Sequence, residues 1–95
     1  MPHFVYLMAS RSGGALYAGS TSDLRRRVEQ HRSGVLGSHT DRYNIRSLVW
    51  FEEHPGFAPA FARERQIKGW QRTWKVKLIL EVNPERRDIT AEIPW

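Results

Sequence analysis

Glu64 stands where its segment should be apolar. Phe57, Ala60, Phe61, Glu64 and Ile67 follow the alternating three- and four-residue spacing of a helix stripe, with the carboxylate in its middle. Burying a lone carboxylate is costly unless it is paired, hydrogen-bonded or bound to a metal. Glu64 therefore needs a partner. Two kinds fit: a salt bridge, with Arg27 or Arg63 as the candidate, or a divalent cation for which Glu64 is the ligand. Asp23, Glu29, Glu52, Glu53 and Glu81 show no such conflict between charge and pattern, and they read as surface groups.

A second concentration of chemistry lies in GGALYAGSTSDLRRRVEQH, Gly13 to His31, where Tyr17 precedes the consecutive arginines Arg25, Arg26 and Arg27. Leu24, Val28 and His31 follow i, i+4, i+7 and form one helix stripe, with Arg27 about 60° to one side of Leu24. Arg25 and Arg26 turn toward solvent. Arg27 borders the buried face, either as a stem packed on the core with its guanidinium reaching outward or as a functional cation. His31 shares that face, as a packed structural residue or a catalytic one. Tyr6 and Tyr17 read equally as core aromatics with a bonded hydroxyl or as reactive phenols.

The elements that must hold these groups are legible in outline. His3 to Ala9 is an apolar, aromatic and β-branched run, SRSGG reads as a turn, and Ala15 to Ser20 is a second strand, which predicts an antiparallel hairpin. Thr21 and Ser22 are the candidate N-caps of a helix that runs to about Arg32 and stops in Ser33-Gly34, with Asp23 in its first turn. Gly37 to Asn44 is loop-like, and Leu48 to Glu52 is a third strand. Pro59 fits the first turn of a helix reaching about Trp70. Thr73 caps a last helix, Trp74 to Val82, which Asn83-Pro84 ends. Glu85 to Trp95 has no clear period, and Trp50, Trp70 and Trp74 read as core aromatics or as stacking surfaces for unpaired bases.

Composition limits the classes of function. The 95 residues suit one domain, 1–95, and contain no cysteine, so neither a disulfide framework nor a thiolate zinc site holds the fold together. Fifteen Lys and Arg against ten Asp and Glu leave a charge of +5, which favours a polyanionic partner. No run approaches the roughly 18 apolar residues of a membrane span, and the N-terminus lacks a basic signal region, so a cytoplasmic protein without a membrane partner is expected.

Tyr6 in Phe4-Val5-Tyr6, Tyr17 in Tyr17-Ala18-Gly19, then Thr21-Ser22-Asp23-Leu24, Arg27, His31, Glu64 in ARERQIKGW, and Asn83 before Pro84 form an ordered set. With these separations, the chain over about residues 2–88 resembles the GIY-YIG endonuclease superfamily, and most of all its small stand-alone bacterial branch. Phe4 replaces the first motif's Gly and Ala18 the second motif's Ile. Neither change removes a reactive group.

The resemblance implies an α/β fold, a small three-stranded antiparallel sheet flanked by helices, which hydrolyses phosphodiesters with one divalent cation, Mg²⁺ or Mn²⁺. It places Tyr6, Tyr17, Arg27, His31 and Asn83 at the catalytic cleft and makes Glu64 the metal ligand. In that reading Tyr17 is the base and Tyr6 an orienting donor, and Arg27 pairs with the phosphate. A non-catalytic nucleic-acid-binding module and an interaction protein with incidental charge are the alternatives. No base-reading element is recognisable, so Arg25, Arg26, Arg42, Arg46 and Lys68 are expected to bind phosphates, of DNA before RNA. About five such contacts give a log–log salt slope near −4.5. Selectivity then comes from nucleic-acid shape or from a partner protein.

Overall fold

The computed structural model describes residues 1–10, 15–33 and 45–94. In chain order these form β1 (His3–Ser10), β2 (Leu16–Thr21), α1 (Leu24–Ser33), β3 (Ile45–His54), α2 (Phe57–Lys68), α3 (Arg72–Val82) and a short 3-10 turn, Thr90–Glu92. The strands make one antiparallel sheet in the order β2-β1-β3. The α/β architecture is the one expected, a three-stranded antiparallel sheet flanked by helices.

Phe4 to Ala9 of β1 are apolar or aromatic because both faces of the strand are covered. Phe4, Tyr6 and Met8 pack with Leu24 and Val28 of α1, and Val5, Leu7 and Ala9 pack with Ala60, Ile67 and Ile79 of α2 and α3. A central strand in a layered fold has no solvent face on which to carry polar residues. The hairpin closes as expected: the Ser10 amide donates to the Ala15 carbonyl at 2.9 Å, and the Ala15 amide donates to Ser10 Oγ at 3.0 Å. The rest of the expected turn, 11–14, and the expected loop Gly37 to Asn44 with Arg42 lie outside the described residues.

Four boundaries differ from the sequence reading. β3 extends beyond Leu48–Glu52 at both ends, because an edge strand tolerates polar residues such as Arg46, Ser47 and Glu53. Between the pairs Leu7–Trp50 and Met8–Leu48 the register shifts, leaving Val49 without a partner on β1. α1 is capped by Asp23 rather than by Thr21 or Ser22. Asp23 Oδ1 accepts from the Arg26 amide at 3.1 Å, and Thr21 Oγ1 accepts from the Asp23 amide at 3.0 Å. α3 starts from Gln71, not from Thr73, which sits inside the first turn.

The stripe on α2 is also corrected. Ala60, Glu64 and Ile67 are buried, but Phe57 is 61% and Phe61 41% exposed. Ala60 and Ile67 set the side of the helix that meets the sheet, which turns the two phenylalanines off the core. Of the tryptophans, Trp50 is buried, whereas Trp74 is exposed and meets half-buried Trp70 edge-on at 5.9 Å. The tail, without period in the sequence, completes the core on the α1 side through Ile89 and Ile93. The Ile89 amide donates to the Leu48 carbonyl at 2.8 Å, and Arg32 holds Asp88 and, at 2.8 Å, Thr90. No helix among the described residues is long and apolar enough to cross a membrane.

Candidate active site

The strand period separates the polar groups of β2. Tyr17 and Gly19 point to the α1 side of the sheet, while Ala18 and Ser20 point to the α2 side. Tyr6 is paired with Gly19 across the ladder. A Cβ at position 19 would stand 2.6 Å from the Tyr6 hydroxyl oxygen, so the bare backbone of Gly19 is the space in which the phenol lies.

Crossing Gly19 brings the Tyr6 hydroxyl to α1, where it lies 3.0 Å from His31 Nε2. The Tyr17 ring meets the His31 ring edge-on at 4.9 Å, and the two tyrosine rings are 6.4 Å apart. Tyr6 and His31 are buried, and Tyr17 is half-buried. Burial, chiefly, and the neighbouring Tyr17 push the Tyr6 phenol far above its ordinary value, against an opposing Arg27 charge and hydrogen bond. Burial and the Arg27 charge push His31 down to about 4, so its imidazole is neutral near pH 7. His31 Nδ1 is buried with no hydrogen-bond partner among the described residues. Tyr6 is thus a protonated hydroxyl held by a neutral ring.

On the other face, Glu64 receives two short contacts. Ser20 Oγ donates to Oε1 at 2.6 Å, and the Lys68 ammonium lies 2.6 Å from Oε2. Burial by itself would raise its pKa; hydrogen bonds from Lys68 and Ser20 and the charges of Lys68 and Arg27 outweigh that and hold it below the usual carboxylate value. The partner is therefore neither Arg27 nor Arg63, the two candidates from sequence. Arg63 Nε is bonded to Glu52 Oε1 at 3.1 Å. Arg27 acts on Glu64 through its field, and the same side chain acts on Tyr6 and His31.

Arg27 links these groups to solvent. It lines a polar depression with Thr21, Ser22, Asp23, Arg26 and Gln30 at the start of α1. Tyr6, Tyr17, Arg27, His31 and Glu64 are therefore gathered around β2, an edge strand, from both faces of the sheet. Asn83 is not brought to them. Its Nδ2 donates to the carbonyls of Val49 at 3.0 Å and Arg87 at 2.8 Å, and its Oδ1 accepts from the Arg87 amide at 3.2 Å. Every polar atom of that side chain joins the end of α3 to β3 and the tail.

Of the expected phosphate-binding side chains, Arg26 is exposed in the depression. Arg25 Nη2 donates to the Ile93 carbonyl at 3.3 Å, Arg46 donates to the Arg32 carbonyl at the end of α1, and Lys68 is the partner of Glu64. The sequence reading missed Ser20 and the second role of Lys68. Lys68 was within reach, since Glu64 and Lys68 are an i,i+4 pair of opposite charge.

Among the described residues no group of three or more His, Cys, Asp or Glu side chains that could hold a metal ion occurs. An all-protein cage is thus absent there. Glu64 nonetheless fits a hard cation: it is ionised, its donors are oxygens, and the Lys68 ammonium shows that a positive charge is accommodated at Oε2. One carboxylate with water and phosphate completing the shell is the way Mg²⁺ is commonly held.

Comparison with known proteins identifies the family. The model of the GIY-YIG catalytic domain matches residues 2–89, and the chain belongs to that family. Within it, the chain is similar to small UPF0213 proteins. It is 37% identical over 79 residues to those of Staphylococcus aureus strains Mu3 and MW2, the match covering 83% of this chain and 95% of each relative. The solution NMR structure of the UPF0213 protein BH0048 from Bacillus halodurans superposes with a TM-score of 0.56 at 29% identity, over 87% of each chain. The family is one of nuclease-type domains.

Proposed function

We propose that the chain is a divalent-metal-dependent endonuclease that hydrolyses phosphodiester bonds of nucleic acid, DNA before RNA, in the cytoplasm and as one domain. The observation that carries this reading is Glu64: a largely buried, ionised carboxylate held, among the described residues, by side chains that can exchange, within the field of Arg27 and near the Tyr6 phenol. Its partners, a serine hydroxyl and a lysine ammonium, are ones that a ligand can replace.

A bound Mg²⁺ or Mn²⁺ supplies Lewis-acid polarisation of a phosphate oxygen and support of the leaving group. Glu64 would hold it, with Ser20 fixing the carboxylate's orientation. Lys68, the present partner of Oε2, would have its ammonium available to a phosphate were that oxygen given to the cation. Arg27, at the wall of the depression, pairs with the phosphate through its planar fork as charge builds there. Tyr17, the half-buried phenol, is the group that takes up the proton of the attacking water, as general base. Tyr6 stays protonated and orients the reacting groups through its hydroxyl, and neutral His31 fixes that hydroxyl.

The substrate is selected by shape rather than by base sequence, with a partner protein as a further source of selectivity. Incubating the protein with labelled single-stranded, duplex and branched DNA and with RNA, in Mg²⁺, in Mn²⁺ and in chelator, tests the reading. Cleavage that needs the cation is expected. A panel left whole in both metals overturns it.

A further inference from the structure

Phe57 and Phe61 are the two phenylalanines that the helix period assigns to the core and the fold leaves outside. They are not scattered. Their rings stack on each other at 5.3 Å and 15°, His3 meets Phe57 edge-on at 5.5 Å, and the Arg65 guanidinium lies over Phe61 at 5.7 Å. Four planar groups thus form a ladder along one side of α2. By the 100° helical step, Phe57, Phe61, Glu64 and Lys68 share one stripe. At about 1.5 Å of rise per residue, Phe61 lies roughly 4.5 Å and Phe57 roughly 10 Å from Glu64 along the axis. The exposed rings adjoin the carboxylate on which the proposed chemistry depends.

We propose that this ladder is a stacking platform for a nucleobase adjacent to the scissile phosphate, an inference that rests on Glu64 lying at that phosphate. Flat aromatic rings capped by a guanidinium receive any base, because every base has a π-face. The chemistry around the rings favours this occupant over an apolar protein surface. Arg65 borders the ladder, Lys68 continues its stripe, and the whole chain carries +5. The base leaves its own stack and takes the place of Arg65 on Phe61, whose ring Phe57 backs, and the displaced guanidinium covers the base from outside. Phosphate contacts hold the strand, and the platform sets which nucleotide faces Glu64.

Binding in chelator, where no strand is cut, tests this. A short oligonucleotide is offered as single strand and as duplex, with one base removed at each position in turn, at a fixed salt concentration. For the unaltered protein, one missing base is expected to weaken binding by roughly fivefold or more. In Phe61→Leu, which keeps apolar bulk without the ring, the same lesion should change nothing further. Arg65→Ala gives a second coupling measurement that leaves both rings in place, and the melting temperature of each variant checks folding. A flat scan with a strand that does bind overturns the platform and leaves the nuclease reading standing. Failure to bind any oligonucleotide overturns both. A dimer in sedimentation that Phe57→Ala dissolves would make the ladder a self-association face, which also overturns the platform.

Discussion

Glu64 and Asn83 are both buried polar side chains that interrupt apolar surroundings, but they lie in different regions and are bonded in opposite ways. Asn83, at the end of α3, spends its whole amide on backbone groups of Val49 and Arg87. Glu64, beside β2, is held by a serine hydroxyl and a half-exposed lysine, both free to rotate elsewhere. Bonds to backbone cannot be released without loosening the fold, whereas bonds to side-chain ends can be exchanged for a ligand. The first pattern is that of a staple, and the second is the one on which the proposed site rests.

Substitution at Glu64 gives the largest expected effect. Glu64→Gln keeps the shape and a hydrogen-bond acceptor but removes the charge, so cation-dependent cleavage should vanish while the circular dichroism spectrum stays native. Cleavage at the unaltered rate would erase the contrast with Asn83. Next come the tyrosines: Tyr17→Phe should slow turnover by roughly two to four orders of magnitude at unchanged substrate affinity, as expected for loss of a general base. Tyr6→Phe removes an orienting hydroxyl, and its smaller effect on kcat should come with a changed response to His31→Gln. Single-turnover rates separate the two.

The buried histidine ties the same region to pH. His31 is depressed from 6.5 to about 4, so the unfolded chain binds a proton before the folded one does. Its contribution is present above pH 6.5 and is lost as pH falls from 6.5 toward 4, by about 3 kcal/mol. Urea midpoints across this window should fall with pH, and His31→Gln should flatten that part of the slope. Glu64, also depressed, acts with the same sign as its own proton returns at lower pH. For Asn83→Ala the expected loss is about 2 kcal/mol of stability, from backbone groups of Val49 and Arg87 left without partners. Activity per folded molecule should hold. A selective loss of kcat with stability intact would move Asn83 from the staple to the site.

The smallest effect concerns phosphate contacts. Arg25, Arg46 and Lys68 are committed to the Ile93 carbonyl, the Arg32 carbonyl and Glu64. The salt slope of binding in chelator should therefore lie between about −2 and −3, below the −4.5 that five contacts would give. A slope near −4.5 would mean that these side chains exchange partners as freely as proposed for Lys68.

What the sequence makes legible is what local rules control. The hairpin follows from an apolar, aromatic and β-branched run and a second short strand on either side of a serine-glycine cluster, and α1 from one clean stripe of Leu24, Val28 and His31. The conflict at Glu64 is likewise visible, because a charge in an apolar stripe needs no tertiary knowledge to notice. Its partner is another matter. Ser20 lies 44 residues away in sequence, on the alternate face of β2, and only the packing of α2 on the sheet brings the two together. Ile89 and Ile93 show the same limit: a pair of apolar residues in an irregular tail has no period until β3 offers a surface. Phe57 and Phe61 fail in the other direction, since spacing cannot tell which side of a wide stripe the sheet covers.

Gly19 adds a consequence for how the protein can be handled. All the reactive side chains would survive Gly19→Ala, and an inventory of polar groups would score the variant as intact. The added methyl nevertheless occupies the space of the Tyr6 hydroxyl, forcing the phenol away from His31. One carbon atom would then act on the site as Tyr6→Phe does while every side chain named in it stays in the sequence, so the two variants should share one phenotype.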